Sequence, residues 1–125
     1  MGMRSYRSLG AWQCAHKLAL LVLRVADQSY RPQSAALLSQ LRRAAISVEA
    51  NVVEGYALGT APLFRRHLRI ALGSAAEVEC LVNLATDLKY LNVRDAEVLF
   101  KSIDETIGVL YGLARSRRLG HPNPP

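Results

Sequence analysis

The chain has 125 residues, of which 50% are hydrophobic and 21% are charged. This size and balance suit one compact domain and exclude a disordered chain. The formal charge of +6 favours an anionic partner such as nucleic acid, although many proteins without such a partner carry the same excess. No apolar run reaches the roughly 20 residues of a membrane span, and the run 18–23 is too short for a secretory signal. We therefore predict a cytoplasmic protein with no membrane partner.

The two cysteines, Cys14 and Cys80, are far apart and have neither a CxxC neighbour nor clustered histidines. A structural zinc site is therefore not expected, and the sequence predicts no other metal and no cofactor. Both cysteines fall in apolar-periodic segments, where a free cysteine usually packs as a small hydrophobic residue.

The first predicted helix runs from about Leu9 to Ser29. Its apolar residues recur at spacings of three and four, which is typical of one buried helix face: Trp12, Ala15, Leu18 or Ala19, Val22 and Ala26. Arg31-Pro32 ends the helix, because proline disfavours helix at the residue before it and lacks an amide hydrogen.

The second predicted helix runs from about Ser34 to about Leu58. Its inner side consists of Leu37 or Leu38, Leu41, Ala44 or Ala45, Val48 and Val52. Gly55 and Gly59 lie near its end. We interpret this pair as a helix terminus or a close helix crossing rather than as a membrane-type association motif.

The third predicted helix follows Thr60, whose hydroxyl can cap an orphan amide, and has Pro62 in its first turn, where no hydrogen bond is lost. It runs to about Leu88. Its apolar stripe comprises Leu68, Ala71 or Leu72, Ala75, Val78, Leu81 or Val82, Ala85 and Leu88.

The sequence predicts that Asn92 and Asp95 form a capping pair for the fourth helix. Its inner face comprises Val98 or Leu99, Ile103, Ile107 or Leu110, and Leu113 or Ala114. Four amphipathic helices with short connections predict an all-α, antiparallel up-down-up-down four-helix bundle. We expect this single domain to cover residues 1–119, followed by a disordered, proline-rich tail over 120–125.

Three stretches resemble one family closely. Residues 9–18 are similar to its first-helix pattern LxxWQxAHxL, and residues 40–55 to its QLRRAAxSxxxNxxEG. Residues 64–77 are similar to its FxxxLxxAxGSxxE, with Tyr90-Leu91 matching the end of a later GYL. The family is the four-helix-bundle proteins also known as 23S ribosomal RNA intervening-sequence proteins. The resemblance extends from Leu9 to Leu113.

This resemblance implies a left-handed four-helix bundle and a ring-shaped homo-oligomer that is often pentameric. The family's name records the position of some of its genes inside ribosomal RNA genes, and it does not establish RNA binding. A distant relative, the accessory protein of diversity-generating retroelements, is a basic pentamer implicated in nucleic-acid binding. That likeness favours RNA or DNA as a partner here.

Three residues depart from the family's pattern. Glu49 stands where the family commonly has proline, so we expect a straighter second helix. His67 stands where an aromatic residue is common, and the family's packing at that turn is therefore not carried over. Lys89 stands where glycine is common. Because a left-handed lysine costs on the order of 1 kcal/mol, we expect this turn to take another shape.

A polar face borders the apolar stripe of the second helix. Its residues follow one another at spacings of three and four: Gln40, Arg43 or Ala44, Ser47, Asn51 and Glu54. Ser74 and Glu77 have the same relation on the third helix, which an antiparallel arrangement brings close. We interpret the set as a polar layer that fixes helix register, or else as a subunit contact or, less favourably, a ligand pocket.

Basic residues cluster at the start of the third helix and at the end of the fourth, which lie at the same pole of an up-down-up-down bundle. The nucleic-acid candidates are Arg65, Arg66, His67 and Arg69 in the first cluster, and Arg115, Arg117 and Arg118 in the second. The alternative is a solvated basic surface without a partner.

Catalytic motifs are missing from the sequence. There is no Glu-x-x-His motif of di-iron bundles and no phosphate-binding glycine loop. Cys14 and His16, two residues apart on a helix, point to different sides. We predict a non-catalytic, homo-oligomeric assembly or adaptor protein with nucleic acid as partner. The alternatives are a scaffold that binds only protein and a bundle that holds a small ligand or metal.

Overall fold

A computed structural model describes residues 6–116, and all regular secondary structure in that range is helical. Its four α-helices are α1 Gly10–Gln28, α2 Ala35–Leu58, α3 Ala61–Asp87 and α4 Val93–Ala114. Short 3-10 turns, Tyr6–Ser8 and Pro32–Ser34, precede α1 and α2. The predicted helices are confirmed. The proline-rich tail predicted over 120–125 lies outside the described residues.

Two predicted caps begin the helices that carry them. The Thr60 hydroxyl accepts a hydrogen bond from the Leu63 amide at 3.4 Å, ahead of α3. The Asn92 side-chain oxygen accepts one from the Asp95 amide at 2.7 Å, ahead of α4. Each bond satisfies one of the orphan amides that every helix start exposes.

Contacts between successive helices run in opposite directions along the chain. Between α1 and α2, Arg42 donates to Asp27 at 2.9 Å, while His16 Nδ1 lies 2.8 Å from Glu49 Oε2. Residue numbers therefore rise along α1 as they fall along α2. Helix α1 packs against α2 and α4, and α3 packs against the same two helices. This order confirms the antiparallel up-down-up-down bundle.

The core is built from the predicted apolar faces, with one correction: Leu88, predicted at the end of the third stripe, is 56% exposed, because it lies just after the last residue of α3. Its largest fully buried side chains include Phe64, Leu18, Leu38, Leu41, Leu68, Leu99, Ile103 and Leu110. Thr106 is also fully buried, and its hydroxyl donates to the Ser102 carbonyl at 2.8 Å and lies 3.3 Å from the Cys14 carbonyl. These contacts satisfy a hydroxyl that would otherwise cost stability in the core.

Gly55 marks a close crossing of α2 and α3, as predicted. A Cβ atom at this position would lie 2.7 Å from His67 Cβ and 3.1 Å from Phe64 Cδ1. Gly59 instead ends α2 with a left-handed φ of 80°. Both interpretations of the glycine pair are therefore confirmed, one for each residue.

The turn after α3 corrects one expectation. Lys89 takes the left-handed conformation, with φ 63°, so the prediction of another turn shape is wrong. The Lys89 amide donates to the Thr86 carbonyl at 3.0 Å, and the Tyr90 amide donates to the Ala85 carbonyl at 2.8 Å. These two bonds define a Schellman helix end. They satisfy terminal carbonyls and bury Leu91, which offsets the roughly 1 kcal/mol cost of a left-handed lysine.

Within residues 6–116, no helix combines the length and apolarity that crossing a membrane requires.

Candidate functional site

The antiparallel pairing of α2 and α3 gathers the predicted polar residues along the seam between these two helices. We call this set the polar strip. It comprises Gln40, Arg43, Ser47, Asn51, Glu54, His67, Ser74 and Glu77. The sequence predicted all of these residues except His67 as members of the polar layer.

One end of the polar strip is exposed to solvent. Gln40 Nε2 donates to Glu77 Oε2 at 2.7 Å, and Arg43 donates to Gln40 Oε1 at 3.1 Å and to Ser39 Oγ at 3.2 Å. Because these groups remain in water, their bonds contribute little to stability. Their charges stay accessible to a partner surface.

The middle of the polar strip is half-buried. The hydroxyls of Ser47 and Ser74 lie 2.9 Å apart, and they join α2 directly to α3. Asn51 Nδ2 donates to the Ser47 carbonyl at 2.9 Å and to the Ser47 hydroxyl at 3.2 Å. These bonds hold the side-chain amide of Asn51 in one orientation.

His67 completes the other end of the polar strip. Its Nδ1 lies 3.0 Å from Asn51 Oδ1 and 3.8 Å from Glu54 Oε2. The amide orientation of Asn51 makes Oδ1 the acceptor, so Nδ1 of His67 carries the hydrogen. The imidazole therefore belongs to this seam and not to the basic cluster with which its sequence position grouped it.

The two basic clusters meet at one pole. The Arg65 guanidinium, from the start of α3, donates to the Ala114 carbonyl at 3.1 Å and to the Ser116 carbonyl at 3.4 Å, at the end of α4. We call Arg65, Arg66, Arg69 and Arg115 the basic pole. Arg117 and Arg118 lie outside the described residues.

The members of the basic pole differ in what they can offer an anion. Arg65 directs two donors to helix-end carbonyls, which suits a structural role. Arg66 and Arg69 are exposed. The Arg115 guanidinium lies 5.3 Å from the centre of the Tyr111 ring, and Arg69, Tyr111 and Arg115 line a shallow cavity of about 330 Å³. Three exposed guanidinium groups, those of Arg66, Arg69 and Arg115, thus lie at this end of the bundle.

Sequence reasoning missed a contact between α1 and α2. The His16 imidazole stacks on the Trp12 indole, with ring centres 4.6 Å apart, and its Nδ1 lies 2.8 Å from Glu49 Oε2. The signal was present, since Glu49 replaces the proline common in the resembling family. Trp12 Nε1 is buried and has no hydrogen-bond partner among the described residues.

A second missed feature lies at the pole opposite to the basic one. A cleft of about 770 Å³ opens between the α1–α2 connection and the α3–α4 connection. We call it the loop cleft. Its lining includes Tyr30, Arg31, Thr86, Lys89, Tyr90 and Asn92. Periodicity could not reveal it, because most of its residues come from the two connections and the others from the ends of helices.

Metal-ligating side chains and the thiol of Cys14 are also potential reactive groups. Within residues 6–116 no group of three His, Cys, Asp or Glu side chains could hold a metal ion. Burial raises the pKa of the Cys14 thiol, and the nearby Glu105 carboxylate raises it further, whereas Lys17 lowers it. A thiol with a raised pKa is a poor nucleophile at neutral pH, because the thiolate is the reactive form.

These features define a four-helix-bundle protein with a satisfied polar seam and an arginine-rich pole. The chain belongs to the 23S rRNA-intervening sequence protein family, whose model matches residues 7–112. A crystal structure of a protein of unknown function from the S23 ribosomal protein family of Bacteroides thetaiotaomicron VPI-5482 is similar in fold, with a TM-score of 0.75. That similarity covers 85% of this chain and 99% of the other at 19% identity, so it shows the fold alone. No curated protein matches the chain.

Proposed function

We propose that this chain is a non-catalytic, homo-oligomeric bundle that acts in the cytoplasm as an assembly or adaptor protein and binds nucleic acid through its basic pole. The observation that carries the proposal is the meeting of the start of α3 with the end of α4. It places Arg66, Arg69 and Arg115 at one end of the molecule. Guanidinium groups suit this role because their planar donors match phosphate oxygens.

Arg65 supports the basic pole indirectly. Its bonds to the Ala114 and Ser116 carbonyls join the start of α3 to the end of α4, next to the cavity that Arg69 and Arg115 line together. Phosphate contacts of this kind give affinity without sequence specificity. The proposed partner is therefore a nucleic-acid backbone.

Exposed apolar residues support self-assembly through the α2–α3 face. Leu63, Ile70 and Leu84 lie at intervals of seven and fourteen residues on α3, and their exposed fractions are 38%, 42% and 46%. Glu77 belongs to the same series and bonds to Gln40, so this stripe borders the polar strip. A second copy that covers this face would bury the stripe and meet the charged end of the strip.

Assembly would multiply the basic pole. Several copies of one weak phosphate-binding surface in a ring bind a long nucleic acid more tightly than one copy does, because each further contact becomes intramolecular. The pentameric ring implied by the family resemblance is the arrangement we propose.

Nucleic-acid binding is tested with labelled RNA and DNA oligonucleotides near roughly 50 mM salt, where phosphate contacts are strongest. We expect the parent protein to bind both nucleic acids. We expect the double variant Arg66→Ala/Arg115→Ala to bind about tenfold more weakly. Arg94→Ala removes an exposed arginine at the opposite pole and should bind like the parent. Failure of the parent to retain either nucleic acid would contradict the proposed partner.

Assembly is tested by native mass measurement. The parent should have a multiple of the monomer mass, and Ile70→Glu should shift it toward the monomer. Val98→Glu changes an apolar residue of α4 that is 46% exposed and serves as the matched control. A monomeric parent would refute self-assembly. Assembly without nucleic-acid binding would favour the alternative function, a scaffold that binds only protein.

A further inference from the structure

The loop cleft has a volume of about 770 Å³. It lies at the far end of the bundle from the basic pole, since α3, which is 27 residues long, starts at that pole and ends at the cleft. We propose that the loop cleft binds a nucleoside phosphate, a small anion that carries a planar ring. This site is independent of the nucleic-acid surface proposed above.

The charge of the lining favours an anion. Arg31 and Lys89 line the cleft from its two sides, and none of the described lining residues is acidic. Arg31 Nη2 lies 3.4 Å from the Lys89 carbonyl, so the arginine spans the opening between the two connections. A guanidinium has five N–H donors, and this long contact uses one of them. The remaining donors suit phosphate oxygens.

Two tyrosines supply surfaces for a planar ring. Tyr30 is 56% exposed at the rim of the cleft, whereas Tyr90 packs partly against the core. An aromatic face next to a cation is the combination that binds a base and its phosphate together. The volume is within the range of sites that accommodate small organic ligands.

The backbone of Lys89 gives a further reason to assign a binding role. A glycine would take φ 63° without strain, yet a lysine occupies the position and lines the cleft. Residues that keep a strained backbone conformation beside a cleft often have a functional role there. Here the ammonium group of Lys89 would bind the ligand in the loop cleft, although the lysine makes the turn less stable than a glycine would.

The variant Lys89→Gly gives the strain and the charge separate readouts, the melting temperature and the nucleotide affinity. It removes the strain and the ammonium together, so we expect Tm without ligand to rise by about 4 °C. We expect binding of ATP and AMP, measured by calorimetry, to weaken about tenfold. Arg31→Ala should weaken binding similarly without the rise in Tm. Lys101→Ala, on an exposed turn of α4, is the matched control and should change neither value.

Partial probes and a variant at the other pole complete the test. Adenosine and inorganic pyrophosphate, each carrying half of the proposed ligand, should bind more weakly than ATP. The double variant Arg66→Ala/Arg115→Ala should bind ATP like the parent, whatever its effect on nucleic acid. The assignment is overturned if the parent binds neither nucleotide at millimolar concentration. It is also overturned if Lys89→Gly and Arg31→Ala leave ATP binding unchanged, or if the double variant abolishes it.

Discussion

The close crossing at Gly55 gives the sharpest stability prediction. In Gly55→Ala, the added Cβ atom would lie 2.7 Å from His67 Cβ, a separation that real Cβ atoms essentially never show. The His67 Cβ atom is fixed to the α3 backbone, so no rotation of a flexible side chain can relieve the contact. Helix α2 or α3 must shift, and Phe64 Cδ1 at 3.1 Å resists the same movement.

Two opposing contributions set the size of the effect. Replacing glycine by alanine within a helix stabilises it by roughly 0.8–1 kcal/mol. Forcing an extra carbon into a packed interface costs about 1–3 kcal/mol. Because the contact would be only 2.7 Å and would involve a carbon next to the backbone, we expect the overpacking cost of Gly55→Ala to lie in the upper part of that range. We therefore expect Gly55→Ala to lower the free energy of unfolding by about 1–2 kcal/mol.

Gly73→Ala is the matched control, because it makes the same chemical change within α3. A Cβ atom at Gly73 would meet nothing within 4 Å, so only the helical preference remains. We expect this variant to be more stable than the parent by about 0.8 kcal/mol. Urea unfolding followed by circular dichroism measures both values. A Gly55→Ala protein as stable as the Gly73→Ala protein would refute the crossing geometry.

Two further predictions concern single hydrogen-bonding side chains, and two concern the thiol of Cys14. Asn51→Ala should lower the free energy of unfolding by about 1–2 kcal/mol in urea titrations, because it leaves His67 Nδ1 without its acceptor; an unchanged midpoint would contradict this role. Arg65→Ala should lower Tm by about 4 °C in thermal scans, because the α4 carbonyls lose a donor, and unchanged melting would show that this contact is dispensable. At pH 8 a thiol reagent should modify exposed Cys80 before Cys14, whose raised pKa keeps it protonated; mass spectrometry after short labelling times would reveal the opposite order. The pKa of the Cys14 thiol is higher in the folded chain than in the unfolded chain. The contribution of this group to the free energy of unfolding is therefore complete below the unfolded-state pKa, and it is lost as pH rises through the folded-state pKa.

Local sequence signals sufficed for the helices. Spacings of three and four identified each buried face, and Thr60 and Asn92 marked two helix starts through chemistry that acts over three residues. The turn at Lys89 was predicted wrongly for a physical reason. The local penalty of a left-handed lysine is about 1 kcal/mol, and the hydrogen bonds and burial that offset it depend on the folded bundle.

The candidate sites could be predicted only in part. Antiparallel order placed the members of the polar strip on facing helices, but it could not show that His67 bonds to Asn51. Arg65 belonged to a basic cluster in the sequence, whereas its donors reach carbonyls about fifty positions away at the end of α4. Such pairings require the helix register to within one residue, which the apolar pattern does not specify.

The loop cleft could not be predicted from the sequence either. Arg31 and Lys89 lie in separate connections, 58 residues apart, and only the closure of the bundle brings them together. Connections carry no periodic pattern, so the sequence offered no reason to pair these two residues.

The central claim is that the basic pole binds a nucleic-acid backbone, and the salt dependence of that binding tests it most directly. The measurement compares the slope of log affinity against log salt concentration for the parent and for Arg66→Ala/Arg69→Ala, with a single-stranded RNA. Each phosphate contact contributes about 0.7 to the slope for single strands, so the variant should be shallower by about 1.4. Identical slopes for the two proteins, or binding that does not change with salt, would contradict the account.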